Sequence, residues 1–128
     1  MTTPAQPPKP VVLLVDDEPA ILDLMEAGLA GDYEVVTAAS AEDAMLLTGT
    51  QRFDVIVCDQ MMSGQSGVEF LMGLAQRQPD SRRILMTGYI NPELLSRAVK
   101  LAGLSAVLTK PTHPDDLRQA VQAALAQK

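Results

Sequence analysis

Five short apolar runs, each separated from the next by room for one helix, constrain the fold more than any other feature of this chain. They are VVLLV (11–15), YEVVTA (33–38), FDVIVC (53–58), RILMT (83–87) and AVLT (106–109). All are rich in β-branched residues and nearly continuous, the pattern of strands covered on both faces. Helix signals fill the gaps. Pro19 suits a first helical position, with Ile21, Leu24, Met25, Gly28 and Leu29 following on one face. Ser40 with Asp43 resembles a capping box and opens a helix to about Gly49. Val68, Leu71, Met72 and Ala75 recur at helical spacing, and Asn91, Pro92 and Glu93 read as cap, first position and dipole-compatible acid. Leu117, Ala120, Val121, Ala124 and Leu125 make a final stripe. Five strands alternating with five helices imply βαβ units: an α/β fold with a parallel sheet, doubly wound by helices on both faces.

That count uses residues 10–128 as one domain and leaves residues 1–9 as a disordered, proline-rich tail. With apolar residues at 47% and aromatics at only 3%, the core is expected to be aliphatic. A net charge of −6 argues against DNA or an acidic membrane surface as a partner. Cys58 is the single cysteine, so no internal disulfide can form and a reducing compartment is the simpler expectation. The opening MTTPAQPPKP has no apolar stretch of a signal peptide, and no apolar run approaches the roughly 20 residues of a membrane helix. A soluble, cytoplasmic domain is expected.

Ligands bind beyond the carboxyl ends of the strands in an open parallel sheet. Asp16 and Asp17 end the first strand, Asp59 the third and Thr87 the fourth, and Lys110 follows the fifth. Each alone is ordinary: acids cap loops, lysines sit on surfaces and threonines favour strands. Their convergence on one edge is the signal. Clustered carboxylates raise one another's pKa unless a cation compensates, and an all-oxygen ligand set suits Mg²⁺. A carboxylate, a hard cation, a lysine and a hydroxyl together suit phosphoryl transfer to the carboxylate itself.

The pieces LLVDDEP (13–19), DVIVCDQMMSGQSG (54–67), ILMTG (84–88) and LTKP (108–111), in this order and spacing, resemble the receiver domains of two-component response regulators, across residues 10–128. The resemblance implies a chemotaxis-regulator-like, flavodoxin-like sheet of order 2-1-3-4-5. It implies Asp59 as phosphoacceptor and Mg²⁺ held by Asp17, Asp59 and the Met61 backbone carbonyl, with Asp16 acting directly or through water. Thr87 would hydrogen-bond the phosphoryl group and Lys110 would pair with it, beside a Lys110–Pro111 bond that is often cis in such domains. It further implies a histidine kinase or phosphotransferase as donor, and a downstream protein or fused effector domain as target. The output surface would be the fourth helix, fifth strand and fifth helix, which could also pair two copies. Direct nucleic-acid or membrane binding is not expected.

Two positions depart from the family pattern. Ser63 stands where a proline is common, suggesting a more mobile loop, and Val107 stands where an aromatic usually swings inward. Val107 is small and stiff at χ1 and cannot repeat that swing.

Other residues have quieter readings. Cys58, Met61, Met62 and Met72 are expected to fill the core, and His113 to sit at the start of the last helix. Tyr89 is expected at the rim of the site, either gating water or simply covering the loop. Val99, Leu101 and Leu104 are either core or a docking strip. Three rival functions are weaker. An aspartyl phosphatase resembles Asp-x-Asp after the first strand, whereas this chain has Asp16–Asp17 there and no cap domain. A flavin module needs a phosphate loop where these carboxylates stand. A phosphate-independent pseudo-receiver would act through protein contact alone.

Overall fold

The structure, a computed structural model, describes residues 8–62, 65–88 and 91–127; most of the expected N-terminal tail lies outside that set. In chain order the elements are β1 (Val11–Val15), α1 (Pro19–Leu29), β2 (Glu34–Ala38), α2 (Ala41–Thr50) and β3 (Val55–Asp59). They continue with α3 (Gly67–Arg77), β4 (Arg82–Thr87), α4 (Pro92–Ala102), β5 (Leu104–Thr109) and α5 (Pro114–Ala126). All strand pairs are parallel, in the order β2-β1-β3-β4-β5. The expected architecture and strand order are both present.

Successive strand residues point to opposite faces, and this divides the apolar interior in two. Leu13, Val15, Ile56, Cys58 and Leu85 face α2, α3 and α4, where Phe70, Leu71, Leu74 and Ala98 close over them. Val12, Leu14, Val57, Ile84 and Met86 face α1 and α5, meeting Leu22, Met25, Leu29, Leu117 and Val121. The central strands β1, β3 and β4 are therefore buried on both sides, as their continuous apolar runs require. The edge strands differ from expectation. β2 and β5 are only partly covered, because each has a neighbour on one side alone.

Capping follows the sequence signals. The Ser40 hydroxyl accepts from the Asp43 N–H at 3.0 Å and the Asn91 side chain from the Glu93 N–H at 2.8 Å. His113 caps α5 through Nδ1, which accepts from the Asp115 N–H at 3.1 Å. Met62 and Met72 pack against the core as expected, but Met61 does not: its side chain is 74% exposed, since it lies past β3 in the loop that turns outward. Leu104 opens β5 and packs on the core, whereas Val99 and Leu101 of α4 are exposed.

Arg83 is a buried cation that no apolar pattern announces. Its guanidinium donates to the carbonyls of Ala102 (2.6 Å), Ser81 (2.7 Å) and Gln78 (3.3 Å), joining the start of β4 to the end of α4. Gly103 turns the chain at φ +59°, and a Cβ there would lie 3.0 Å from the guanidinium. Burial, then the neighbouring Arg82, lowers the Arg83 pKa, yet an arginine stays charged at any ordinary pH. Removing it strands buried carbonyls. Arg83→Met should lower unfolding stability by about 3 kcal/mol, and Arg77→Met, on the surface, by less than about 0.5 kcal/mol, in urea titrations.

Candidate functional site

Beyond the carboxyl edge of the sheet, the parallel ladder runs one residue past each strand and pins the chain there. The Asp16 N–H donates to the Ala38 carbonyl at 3.1 Å, Gln60 N–H to Met86 at 2.9 Å and Lys110 N–H to Thr87 at 2.9 Å. The strand ends, and the side chains they carry, are thereby held level.

Lys110 lies at the centre. Its ammonium is 3.1 Å from Asp59 Oδ2 and 3.3 Å from Asp16 Oδ2. Asp16 and Asp59 are 1% and 2% exposed, so both carboxylates are taken out of water. Asp16 is also anchored from behind, its Oδ1 accepting the Glu18 N–H at 2.9 Å. Thr87 ends β4 as a buried residue, opposite Thr109 in the β4–β5 register. The Lys110–Pro111 bond is cis.

Burial raises the Asp59 pKa; the hydrogen bond from Lys110 and one from the Met61 N–H pull it back, and the Asp16 charge pushes it further up. Burial lowers the Lys110 pKa, but the Asp59 hydrogen bond and the two carboxylate charges more than reverse this, so it is raised overall. Lys110 counts two opposite charges. Asp59 counts one opposite and one like.

Asp17 joins the site through its neighbours. Ligand oxygens of Asp16, Asp17 and Glu18 all lie within 4.8 Å of one another, with Asp17 and Glu18 exposed. This group suits a hard divalent cation by its all-oxygen chemistry. Glu18 had no assigned role in the sequence, though three consecutive acids were its signal. Met61 presents its backbone to Asp59 and its side chain to solvent.

Two further residues shape the loop after β3. Gln60 Oε1 accepts the Val68 N–H at 3.0 Å, and the Gln60 carbonyl accepts the Gly67 N–H at 3.1 Å. Gly67 lies against the Asp59 carbonyl so closely that any Cβ would collide with backbone. No side chain fits there. Ser63 and Tyr89 lie outside the described residues.

Val107 is partly buried and borders a cleft of about 400 Å³ beside the β5 edge, between β5 and α5. Cys58 is buried, and desolvation, followed by the charges of Asp59 and Asp16, pushes its thiol pKa up. A thiol so placed is inert. No helix among the described residues is long and apolar enough to cross a membrane.

Residues 12–122 match the family model described as a response regulator receiver domain. The chain is 40% identical over 116 residues to the hydrogenase transcriptional regulatory protein HoxA of Cupriavidus necator, covering 88% of this chain and 24% of that protein. It is 31% identical over 118 residues to the transcriptional regulatory protein GlrR of Escherichia coli K12, covering 91% and 26%. The chain thus spans about a quarter of the length of these regulators. Among solved structures, a CheY-like receiver domain protein of Methanospirillum hungatei superposes with a TM-score of 0.85 at 30% identity, covering 91% of this chain and 94% of that one. The chemotaxis response regulator CheY4 of Vibrio cholerae superposes at 0.82 and 30%, covering 91% and 99%. With its 2-1-3-4-5 sheet and its acidic edge, the chain belongs to the receiver domains of two-component response regulators.

Proposed function

We propose that Asp59 accepts a phosphoryl group from the phosphohistidine of a kinase or phosphotransferase, and that residues 10–128 form the switch that this modification sets. The observation that carries the reading is the ammonium of Lys110 between two buried carboxylates at the sheet edge. An Asp59 oxygen attacks phosphorus, a P–O bond forms, the P–N bond breaks, and the imidazole leaves with the electron pair. Lys110 pairs with the incoming phosphoryl oxygens, and Thr87 offers them a hydroxyl.

Asp17, Asp59 and the Met61 carbonyl would hold Mg²⁺, with Asp16 engaged directly or through water; when bound, the ion neutralises charge on the phosphoryl oxygens. The fit is supported by surplus charge, since one ammonium pairs with Asp16 and Asp59 while the exposed Asp17 and Glu18 stand beside Asp16.

The chain then turns over no other substrate. Its output is protein contact, through a target or a fused effector domain such as the length of its relatives accommodates. Near-complete switching requires the phosphoryl group to favour one state by about 5.5 kcal/mol. With valine at 107, the change reaches α4, β5 and α5 through the Thr87–Lys110 backbone link and not through an aromatic swing. The tail and a cytoplasmic location belong to the same reading.

Incubation with Mg²⁺ and a small phosphodonor should add one phosphoryl group by intact mass, and Asp59→Asn should abolish the gain. Absence of any gain with several donors would leave a phosphate-independent receiver. Without metal, the raised Asp59 pKa has a definite sign. An acid with a raised folded-state pKa contributes most stability at low pH and loses it as pH rises through that pKa. In EDTA, Asp59→Asn should therefore melt above the wild type at pH 7, with the difference shrinking towards pH 4 in thermal scans. A difference that grows on acidification would contradict the assignment.

A further inference from the structure

Charge is distributed very unevenly along this chain. Between Pro10 and Gln51 there are nine acidic residues and not one lysine or arginine. That stretch builds β1, α1, β2 and α2, so one end of the sheet carries an acidic surface, in which Lys110 pairs with Asp16 and Arg118 lies 3.9 Å from Asp32. Asp23 and Glu26 of α1, Glu34 of β2, and Glu42 and Asp43 of α2 are all exposed.

Within that acidic surround lies an apolar cleft of about 460 Å³ that crosses the β2 edge. Leu22 lines it from α1, Thr37 and Ala38 from β2, and Asp43, Leu46 and Leu47 from α2. The three α2 residues stand at i, i+3 and i+4, on one side of the helix. Leu46 is 73% exposed over the cleft. A single exposed leucine is ordinary, but one that borders an apolar cleft whose one charged lining residue is the acid Asp43 marks a surface for a cationic, apolar partner.

The opposite end of the molecule carries that complement. α4 buries Ala98 and Ala102, while Arg97, Val99, Lys100 and Leu101 are exposed, Leu101 to 60%. Arg97 and Leu101 are one turn apart and Arg97 and Lys100 three residues apart, so cations and an apolar group share a side. Glu93 is the only acid on the helix.

We propose that α4 of one copy docks into the acidic cleft at the β2 edge of another, so that receivers associate head to tail. Leu101 would enter among Leu22, Leu46 and Leu47, while Arg97 and Lys100 would face Asp43 and Glu42. β2 is one edge of the sheet, and α4 packs on β5 at the other. The two patches cannot share a two-fold axis, and every contact leaves one cleft and one α4 free. Opposite charge steers the encounter and sets its register, and the leucines supply the dry contact. The patch is small, so a dissociation constant of about 0.1–1 mM is expected. The inference rests on the two surfaces alone, not on Asp59 accepting phosphate.

Sedimentation equilibrium of the full chain tests it. The weight-average mass should climb above 13.7 kDa with protein concentration and fall back at about 0.5 M salt. Leu46→Glu, which spoils the cleft, and the double variant Arg97→Glu with Leu101→Glu, which spoils α4, should each remain monomeric. Mixed, they should form a one-to-one heterodimer and nothing larger, since the intact α4 of the first fits the intact cleft of the second. Circular dichroism melts establish that both variants fold, and Leu46→Gln replaces Leu46→Glu if that one does not. A wild type that stays monomeric would assign the cleft to a different protein and overturn the proposal. A cleft variant that still self-associates would overturn it too, because a two-fold pairing through α4, β5 and α5 predicts that result. So would a mixture that stays monomeric.

Discussion

The ammonium of Lys110, seated between Asp16 and Asp59, is the interaction on which the carboxyl edge of this sheet depends. At about 3 Å and an effective dielectric near 20, each contact is worth roughly 5 kcal/mol of attraction, against a desolvation penalty of several kcal/mol for each ion. Those terms nearly cancel, and the count of neighbours decides the outcome. Lys110 has two anions and is held charged. Asp59 has one cation and the like charge of Asp16, so burial wins and its proton affinity rises. The edge is a site short of positive charge.

The fold exists to hold that imbalance in place. Central strands with both faces buried put β1, β3 and β4 side by side, and the ladder bonds beyond their ends level the residues next in the chain. Asp16 is braced by the Glu18 N–H, and Gly67 lets α3 begin directly against the Asp59 carbonyl. Further away, Arg83, Gln78 and Ser81 tie loops at the other end of the sheet through buried hydrogen bonds. Among the described residues no buried side-chain nitrogen or oxygen lacks a partner. A rigid frame of this kind can carry a strained charge cluster without yielding around it.

Much of this was legible in the chain itself, because apolar runs and caps are local signals. The runs around Val11, Val55 and Arg83 marked the buried strands, and Ser40, Asn91 and His113 marked helix starts that the structure contains. The convergence of Asp16, Asp59 and Lys110 followed from topology once the sheet was known to be parallel. The half-exposed faces of β2 and β5 were not legible, since edge position is set by strand order and not by composition. Met61 read as core because methionine usually is, yet the loop points it outward. The carbonyl cradle of Arg83 has no periodic signature. Glu18 and Gly67 were visible as letters, but their roles depend on a turn and on a backbone approach that only three dimensions reveal.

If the edge is short of positive charge, a divalent cation must stabilise the folded chain through those acids. Thermal unfolding against Mg²⁺ concentration measures this directly. The account predicts that, once the sites are mostly filled, each tenfold rise in free Mg²⁺ adds about 1.4 kcal/mol to the wild type. The same titration should leave Asp17→Asn and Asp59→Asn with little or no gain. Equal stabilisation of all three proteins, or none of the wild type, would contradict it.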